Sequence, residues 1–508
     1  MNIKEAKEEL IRTVRAYLLK DEDGAYRMDS VRQRPVLLMG PPGIGKTAVM
    51  EQVARECKVA LVSYTITHHT RQSAIGLPFI REKKYGGTVY SVTEYTMSEI
   101  VASIHETMEQ TGLKEGILFL DEINCVSETL APTMLQFLQF KMFGSHRIPQ
   151  GWVIAAAGNP PEYNKSVREF DIVTLDRVRT ISVEDNYDVW KEYAYQRGIH
   201  PAIISYLDMK RENFYHVQTT VDGMEFVTAR GWEDLSEIMA AYELLGQKTG
   251  ESTVGQYIQD AKIAKDFANY LDFYEKYRVT YDMEAILTGD ARAEAFAKQL
   301  KRAPFDERLS IIGLLMGSLG GLCRDVYRRD AFVGTLFGIL KQEKEAVTEK
   351  DQMGEDTGAY VLGRAEEYRR QWEQKMKAGL LTKDEQYAWK NSVQKLETYG
   401  KKLCQTPQKD SFSLIRREFQ EETERLRQQT QDVRERLERA FSFLENAFGE
   451  SQEMVIFLTE LTANFYTLNF IQENGCEAYF AYNQALLFED RQKAILEEIK
   501  SIEGWEHL

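Results

Sequence analysis

The chain has 508 residues, 43% hydrophobic and 28% charged. That composition excludes a disordered polymer and predicts more than one core, with three packed units by length. A formal net charge of −15 argues against nonspecific binding to DNA or RNA, whose phosphates need a cationic surface. Five scattered cysteines (Cys57, Cys125, Cys323, Cys404, Cys476) show no Cys-x-x-Cys spacing, so a reducing, cytoplasmic compartment is expected and a disulfide framework is not.

The first predicted element is a charged amphipathic helix from Met1, with Ile3, Ala6, Leu10, Val14 and Leu18 on one face. It reads as neither a signal nor a transit peptide. Pro35 to Met39 is an apolar run that reads as a buried parallel strand. Gly40-Pro41-Pro42-Gly43-Ile44-Gly45-Lys46-Thr47 follows, and Ala48 continues into a predicted helix. This strand, glycine-rich loop and helix form the context in which GxxxxGK[ST] cradles a nucleoside triphosphate. The glycines let successive N–H groups face phosphate oxygens, Lys46 reaches the β- and γ-phosphates, and the Thr47 hydroxyl is placed to ligate Mg²⁺. Val59 to Tyr64 reads as the next strand. Lys83-Lys84-Tyr85-Gly86-Gly87 between β-prone runs predicts a hairpin. His68, His69 and His105 have no cysteine or acidic partner at ligand spacing, so no metal site is expected there.

Gly116 to Leu120 is fully apolar and ends in Asp121-Glu122. At the carboxyl end of a central strand, Asp121 is placed to hold the Mg²⁺ shell and Glu122 to deprotonate the attacking water. The alternative is that both acids cap a helix starting near Glu128. Trp152 to Ala157 is another apolar run, ending in Gly158-Asn159-Pro160. Asn159 reads either as a sensor of the γ-phosphate or lytic water, or as an Asx turn. Arg177 and Arg179 precede a last strand. Either is a candidate to reach a neighbouring subunit's nucleotide, and the alternative for Arg177 is a surface pair with Asp176.

Past about Leu245 helix formers dominate. Phe267, Tyr270, Leu271, Tyr274 and Tyr277 recur at helical spacing. Leu309 to Gly320 is the most apolar segment, read as buried core with glycines for close helix packing and too short to span a bilayer. Glu343 to Gly358 reads as a linker, and Pro407 as a break. Ile415, Phe419, Leu426, Val433, Leu437 and Leu444 predict a long helix. It pairs with a returning segment over Phe457 to Leu468 in a coiled-coil-like hairpin near 410–470, or it belongs to a helical bundle.

Taken together, GPPGIGKT, LFLDEIN, the Ala-Gly-Asn-Pro element and LDRVRTISV resemble an AAA+ ATPase. Asp121-Glu122-Ile123-Asn124 followed by Ala131-Pro132-Thr133-Met134-Leu135-Gln136 is similar to the MoxR-like, dynein-related branch. The resemblance covers about the first half of the chain. It implies an α/β P-loop NTPase core with a parallel five-stranded sheet and helices on both faces at 1–183. A helical lid at 184–248 and a largely helical region at 249–508 follow. It also implies a homo-oligomeric, hexameric ring with ATP and Mg²⁺ between subunits, with Arg177 acting in trans and Arg179 the second choice. Arg230, in Thr228-Ala229-Arg230, matches the lid's second sensor, although Ala229 replaces the family's Pro. The residues Thr70 to Gly76 match the start of a short helix, and the hairpin that follows, with Lys83, Lys84 and Tyr85 at its tip, faces the ring pore or the client, unless it is an ordinary surface hairpin. Such proteins remodel, activate or assemble a protein client, commonly beside a von Willebrand factor A-domain partner. Two alternatives remain: a slow assembly switch or scaffold, and a metal-chelatase motor subunit. No nucleic acid and no membrane span are expected.

Overall fold

A computed structural model describes every residue except 69–75, 144–145, 164–166, 168–169, 221–222, 406–409, 450 and 485–508. His69, most of the expected short helix at Thr70 to Gly76, and the break at Pro407 lie outside the described residues. The chain forms two compact units, Met1–Val189 with Leu362–Glu397, and Trp190–Val361 with Thr398–Leu508.

The first unit opens with α1 (Ile3–Tyr17), held at its start by a capping box between Asn2 and Glu5. There follow β1 (Val36–Met39), α2 (Lys46–Cys57), β2 (Ala60–Thr65), β3 (Pro78–Tyr85), β4 (Thr88–Tyr95), α3 (Glu99–Thr111) and β5 (Gly116–Asp121). After these come α4 (Ala131–Phe140), β6 (Met142–Phe143), β7 (His146–Arg147), β8 (Trp152–Gly158), α5 (Ile172–Leu175) and β9 (Arg179–Ser182). One five-stranded sheet has the order β2-β5-β8-β1-β9, and every pairing in it is parallel.

The unbroken apolar runs have a physical cause. Successive side chains of a strand point to opposite faces, so a strand covered on both sides must be apolar throughout. Leu37, Leu118, Leu120, Ile154 and Ala156 enter one core, with Ile100, Ile104, Met134 and Phe137 of α3 and α4. Their sequence neighbours Val36, Leu38, Ile117, Phe119, Ala155 and Ala157 enter the other, with Leu10 and Val14 of α1 and Val49 and Val53 of α2. Emptying one such position, as in Phe119→Ala, costs about 3–5 kcal/mol. The sheet is therefore a stiff platform with its carboxyl ends in register.

Strands β3 and β4 form a separate antiparallel pair closed by Gly86 and Gly87, both at positive φ, as a two-residue hairpin turn requires. Tyr85 is exposed and its ring packs against that of Tyr90. Lys83 is ion-paired with Glu94.

The second unit takes up α6 (Tyr187–Arg197) from Trp190 onward, then α7 (Pro201–Met209), β10 (His216–Thr220), β11 (Gly223–Val227), α8 (Ala229–Leu244), α9 (Glu251–Tyr257), α10 (Ala261–Thr280), α11 (Met283–Thr288), α12 (Arg292–Leu300) and α13 (Phe305–Met353). After α14 (Thr357–Lys377) and α15 (Lys383–Gln405), which run through 362–397, it resumes with α16 (Ser411–Phe448), α17 (Gln452–Ala463) and α18 (Phe465–Asn474). Phe267 and Tyr274 are buried as the helical spacing predicts, and Phe267 packs edge-on to Tyr206 and Trp232. A Cβ on Gly317 would stand 2.7 Å from the Pro201 ring, so the expected close helix approach is present.

Of the two alternatives at 410–470 the packing matches the bundle, and two further expectations for this half are corrected. Helix α16 packs most extensively on α13, and the 452–474 segment is two helices bent by 89°, so 410–470 is part of a bundle and not a coiled-coil hairpin. Glu343 to Gly358 is no linker: α13 continues to Met353, Gly354 caps it at positive φ, and buried Glu343 accepts from the Tyr360 hydroxyl at 2.8 Å. By length and composition α13 is long and apolar enough to cross a membrane, with mean hydropathy 1.4 over 18 residues, although half of that window is buried inside the protein. The apolar segment seen at Leu309 to Gly320 is thus one part of a longer helix that becomes charged toward Met353.

Candidate functional site

The strand order places β8 between β1 and β5. The loop after β1, the acids after β5 and Asn159 after β8 therefore meet at one edge of the sheet, where open α/β sheets bind ligands. Gly43 and Gly45 have φ of 75° and 93°, conformations that L side chains rarely adopt. Gly45 is the N-cap of α2 and has no side chain to cap with. The first-turn N–H groups of α2 therefore face the loop, where the helix dipole favours an anion. Pro41, Pro42, Ile44 and Ala48 complete the loop and the first turn. A Cβ on Gly40 would stand 2.6 Å from the Val183 carbonyl oxygen, so the loop's first residue must be Gly.

Lys46 is buried, and its ammonium donates to the Gly40 and Pro41 carbonyls and to Asn159 Oδ1, each at 2.8 Å. The Thr47 hydroxyl donates to Asp121 Oδ2 at 2.8 Å. The structure thus joins all three sequence elements in one hydrogen-bonded cluster. Thr47 and Asp121 offer the all-oxygen donor set that suits Mg²⁺, so these residues fit that ion.

Glu122 follows at φ 54°, ψ 38°, a left-handed conformation uncommon for a residue with a side chain. Its N–H donates to Asp121 Oδ1 at 2.9 Å. The helix after this turn begins at Ala131 with Leu130 at its N-cap, so neither Asp121 nor Glu122 caps it. Burial, then the charges of Glu122 and Asp121, push the Cys125 thiol up; that cysteine is a poor nucleophile.

Asn124 gains a role only from the fold. Its amide is buried and spans to the β8 end, donating from Nδ2 to the Asn159 carbonyl at 2.7 Å and accepting from the Asn159 N–H at 3.3 Å. Its place in the Asp121-Glu122-Ile123-Asn124 stretch marked it as part of the resemblance but carried no sign of these two bonds.

The two arginines differ. Arg179 donates to Thr13 Oγ1 at 2.7 Å and pairs with Glu9, which ties β9 to α1. Arg177 lies in the turn before β9 with its side chain exposed. Arg230 belongs to the other unit, exposed on the first turn of α8, where the Thr228 hydroxyl caps the Gly231 N–H at 3.2 Å.

A five-stranded parallel sheet flanked by helices, with a glycine loop leading into a helix at its carboxyl edge, is the P-loop NTPase fold. Residues 36–176 match the family model described as ATPase family associated with various cellular activities (AAA), so that segment is similar to an AAA domain. Among solved structures, a RuvB mutant of Thermotoga maritima is similar at 13% identity over 56% of this chain and 77% of that one, with a TM-score of 0.31. A search of curated proteins returned no match.

Proposed function

We propose that this protein is a MoxR-like AAA+ ATPase that binds and hydrolyses ATP in a homo-oligomeric, hexameric ring and uses the turnover to remodel, activate or assemble a protein client. The observation that carries the reading is the single cluster of Lys46, Thr47, Asp121 and Asn159 at the sheet edge. Mg²⁺, held by Thr47 and Asp121, would supply charge neutralisation on the phosphates. Lys46 exchanges its loop carbonyls for phosphate oxygens. Asn159 orients water toward the γ-phosphorus. As the new P–O bond forms, the water's proton passes to the Glu122 carboxylate, and the bond to the ADP oxygen breaks. Arg177, exposed and uncommitted to α1, is offered to the neighbour's nucleotide. Arg179 is engaged within its own subunit and is the weaker candidate. Arg230 keeps its proposed second-sensor role from sequence alone.

The unusual backbone at Glu122 favours turnover over a passive switch, since strain of this kind collects where a side chain must be aimed. A protein client, such as a von Willebrand factor A-domain protein, is proposed to meet the exposed hairpin tip at Tyr85 and Lys84. The three-part division at 183 and 248, a cytoplasmic location and the absence of a membrane span belong to the same reading. Mg-ATP turnover by wild type, lost in Lys46→Ala and Glu122→Gln with folding intact, tests the reading. Equal rates in all three proteins would refute it.

A further inference from the structure

Resting on that ATPase reading, we propose that Asn124 is a positioning residue for the hydrolytic step, a clasp that fixes Asn159 against Lys46. The argument begins at the turn after β5. The left-handed Glu122 leads into a short 3-10 turn over Ile123–Cys125, closed by the Cys125 N–H donating to the Glu122 carbonyl at 2.9 Å. This reversal brings Asn124 back beneath the end of β8.

There its amide engages both backbone polar groups of Asn159. The partners fix its orientation, because only Nδ2 can donate to a carbonyl and only Oδ1 can accept from an N–H. Space for the clasp is reserved by Gly158, whose Cβ, if present, would stand 2.7 Å from Asn124 Oδ1. With its backbone held on both sides, Asn159 presents Oδ1 to Lys46 Nζ at 2.8 Å. The acidic turn and the sensor strand are thus coupled through one buried side chain. A displacement of Glu122 moves the group that orients water, and the reverse holds as well.

The test is a double-mutant cycle on the full chain, reading kcat and KM for Mg-ATP, ADP affinity and urea stability for wild type, Asn124→Ala, Asn159→Ala and the double variant. Asn124→Ala is expected to lower kcat on the order of 10²-fold, as a misplaced catalytic group does, with ADP affinity nearly unchanged. In the Asn159→Ala background it should lower kcat no further, because the side chain it positions is gone. Asn124→Asp guards against a folding failure. Protonated, its carboxyl donates to the Asn159 carbonyl and accepts from the N–H; ionised, it faces that carbonyl with a charge. Its rate relative to wild type should fall as pH rises. An unchanged kcat in Asn124→Ala, an equal loss in both backgrounds, or a pH-independent Asn124→Asp ratio overturns the proposal. A wild type that hydrolyses no ATP instead overturns the ATPase reading and takes this inference with it, an outcome distinct from an active wild type with an indifferent Asn124.

Discussion

Glu122 should be a residue that the protein keeps for chemistry at a cost in stability, and Glu122→Gly measures that cost. Its φ of 54° places a side-chain-bearing residue where the Cβ crowds its own carbonyl, roughly 1–2 kcal/mol above the right-handed region. Glycine removes that term but loses about 0.5–1 kcal/mol of backbone entropy on folding. The side chain is half-buried, and the N–H bond to Asp121 survives the change. The net expectation is a gain of about 0.5–1 kcal/mol, or roughly 1–4 °C in Tm for a unit of this size. Glu122→Gln, which keeps the strain and removes the charge, isolates the relief of repulsion with Asp121. Lys58→Gly is the backbone control, because Lys58 has φ 57° and is exposed at the end of α2. Urea and thermal unfolding, read beside Mg-ATP turnover, should show both glycine variants more stable than wild type. Only Glu122→Gly should lose turnover, by a factor on the order of 10²–10⁴. A destabilised Glu122→Gly, or a Glu122→Gln gain as large, would refute the strain argument.

Three further outcomes follow from the same geometry. Burial pushes the Lys141 amine down from its ordinary 10.5 to about 8. The unfolded state therefore binds more protons between those values, and wild-type stability should rise with pH across that window. Relative to Lys141→Met the rise is roughly 3 kcal/mol, measured by urea unfolding at pH 7 and near pH 10.5, and a pH-independent difference would contradict it. Arg179→Ala should lower stability by breaking its contacts to Glu9 and Thr13, whereas Arg177→Ala should leave unfolding unchanged and slow turnover. Chelating Mg²⁺ with EDTA should abolish turnover, and Thr47→Val should weaken the Mg²⁺ dependence of ADP-induced stabilisation in a thermal-shift assay.

The hydrogen-bonded cluster was legible because double-sided burial writes the central strands as unbroken apolar runs: Asp121 and Asn159 lie at or just past the end of two of them, and Lys46 ends the loop that follows a third. Lys46, Asp121 and Asn159 could be placed that way without a structure. Asn124 could not, since its role depends on a reversal of the chain at Glu122 and on a neighbour 35 positions away. In the helical half, local pattern was a poorer guide. The charged stretch at Glu343 looked like a linker because much of that end of a long helix meets solvent, whereas Glu343 itself is buried and accepts from the Tyr360 hydroxyl. Grouping residues 362–397 with the first unit rests on contacts far apart in sequence, such as Arg55 Nε donating to the Gly379 carbonyl at 3.3 Å. Periodicity carries no trace of such pairings.

On the proposed reading, a second subunit completes the ATPase site. Its most direct test is Mg-ATP hydrolysis per subunit across a wide range of protein concentration, for wild type and Arg177→Ala. Wild-type specific activity should climb with concentration to a plateau, and Arg177→Ala should lose about 10³-fold or more at that plateau. A specific activity independent of concentration, unchanged in Arg177→Ala, would contradict it.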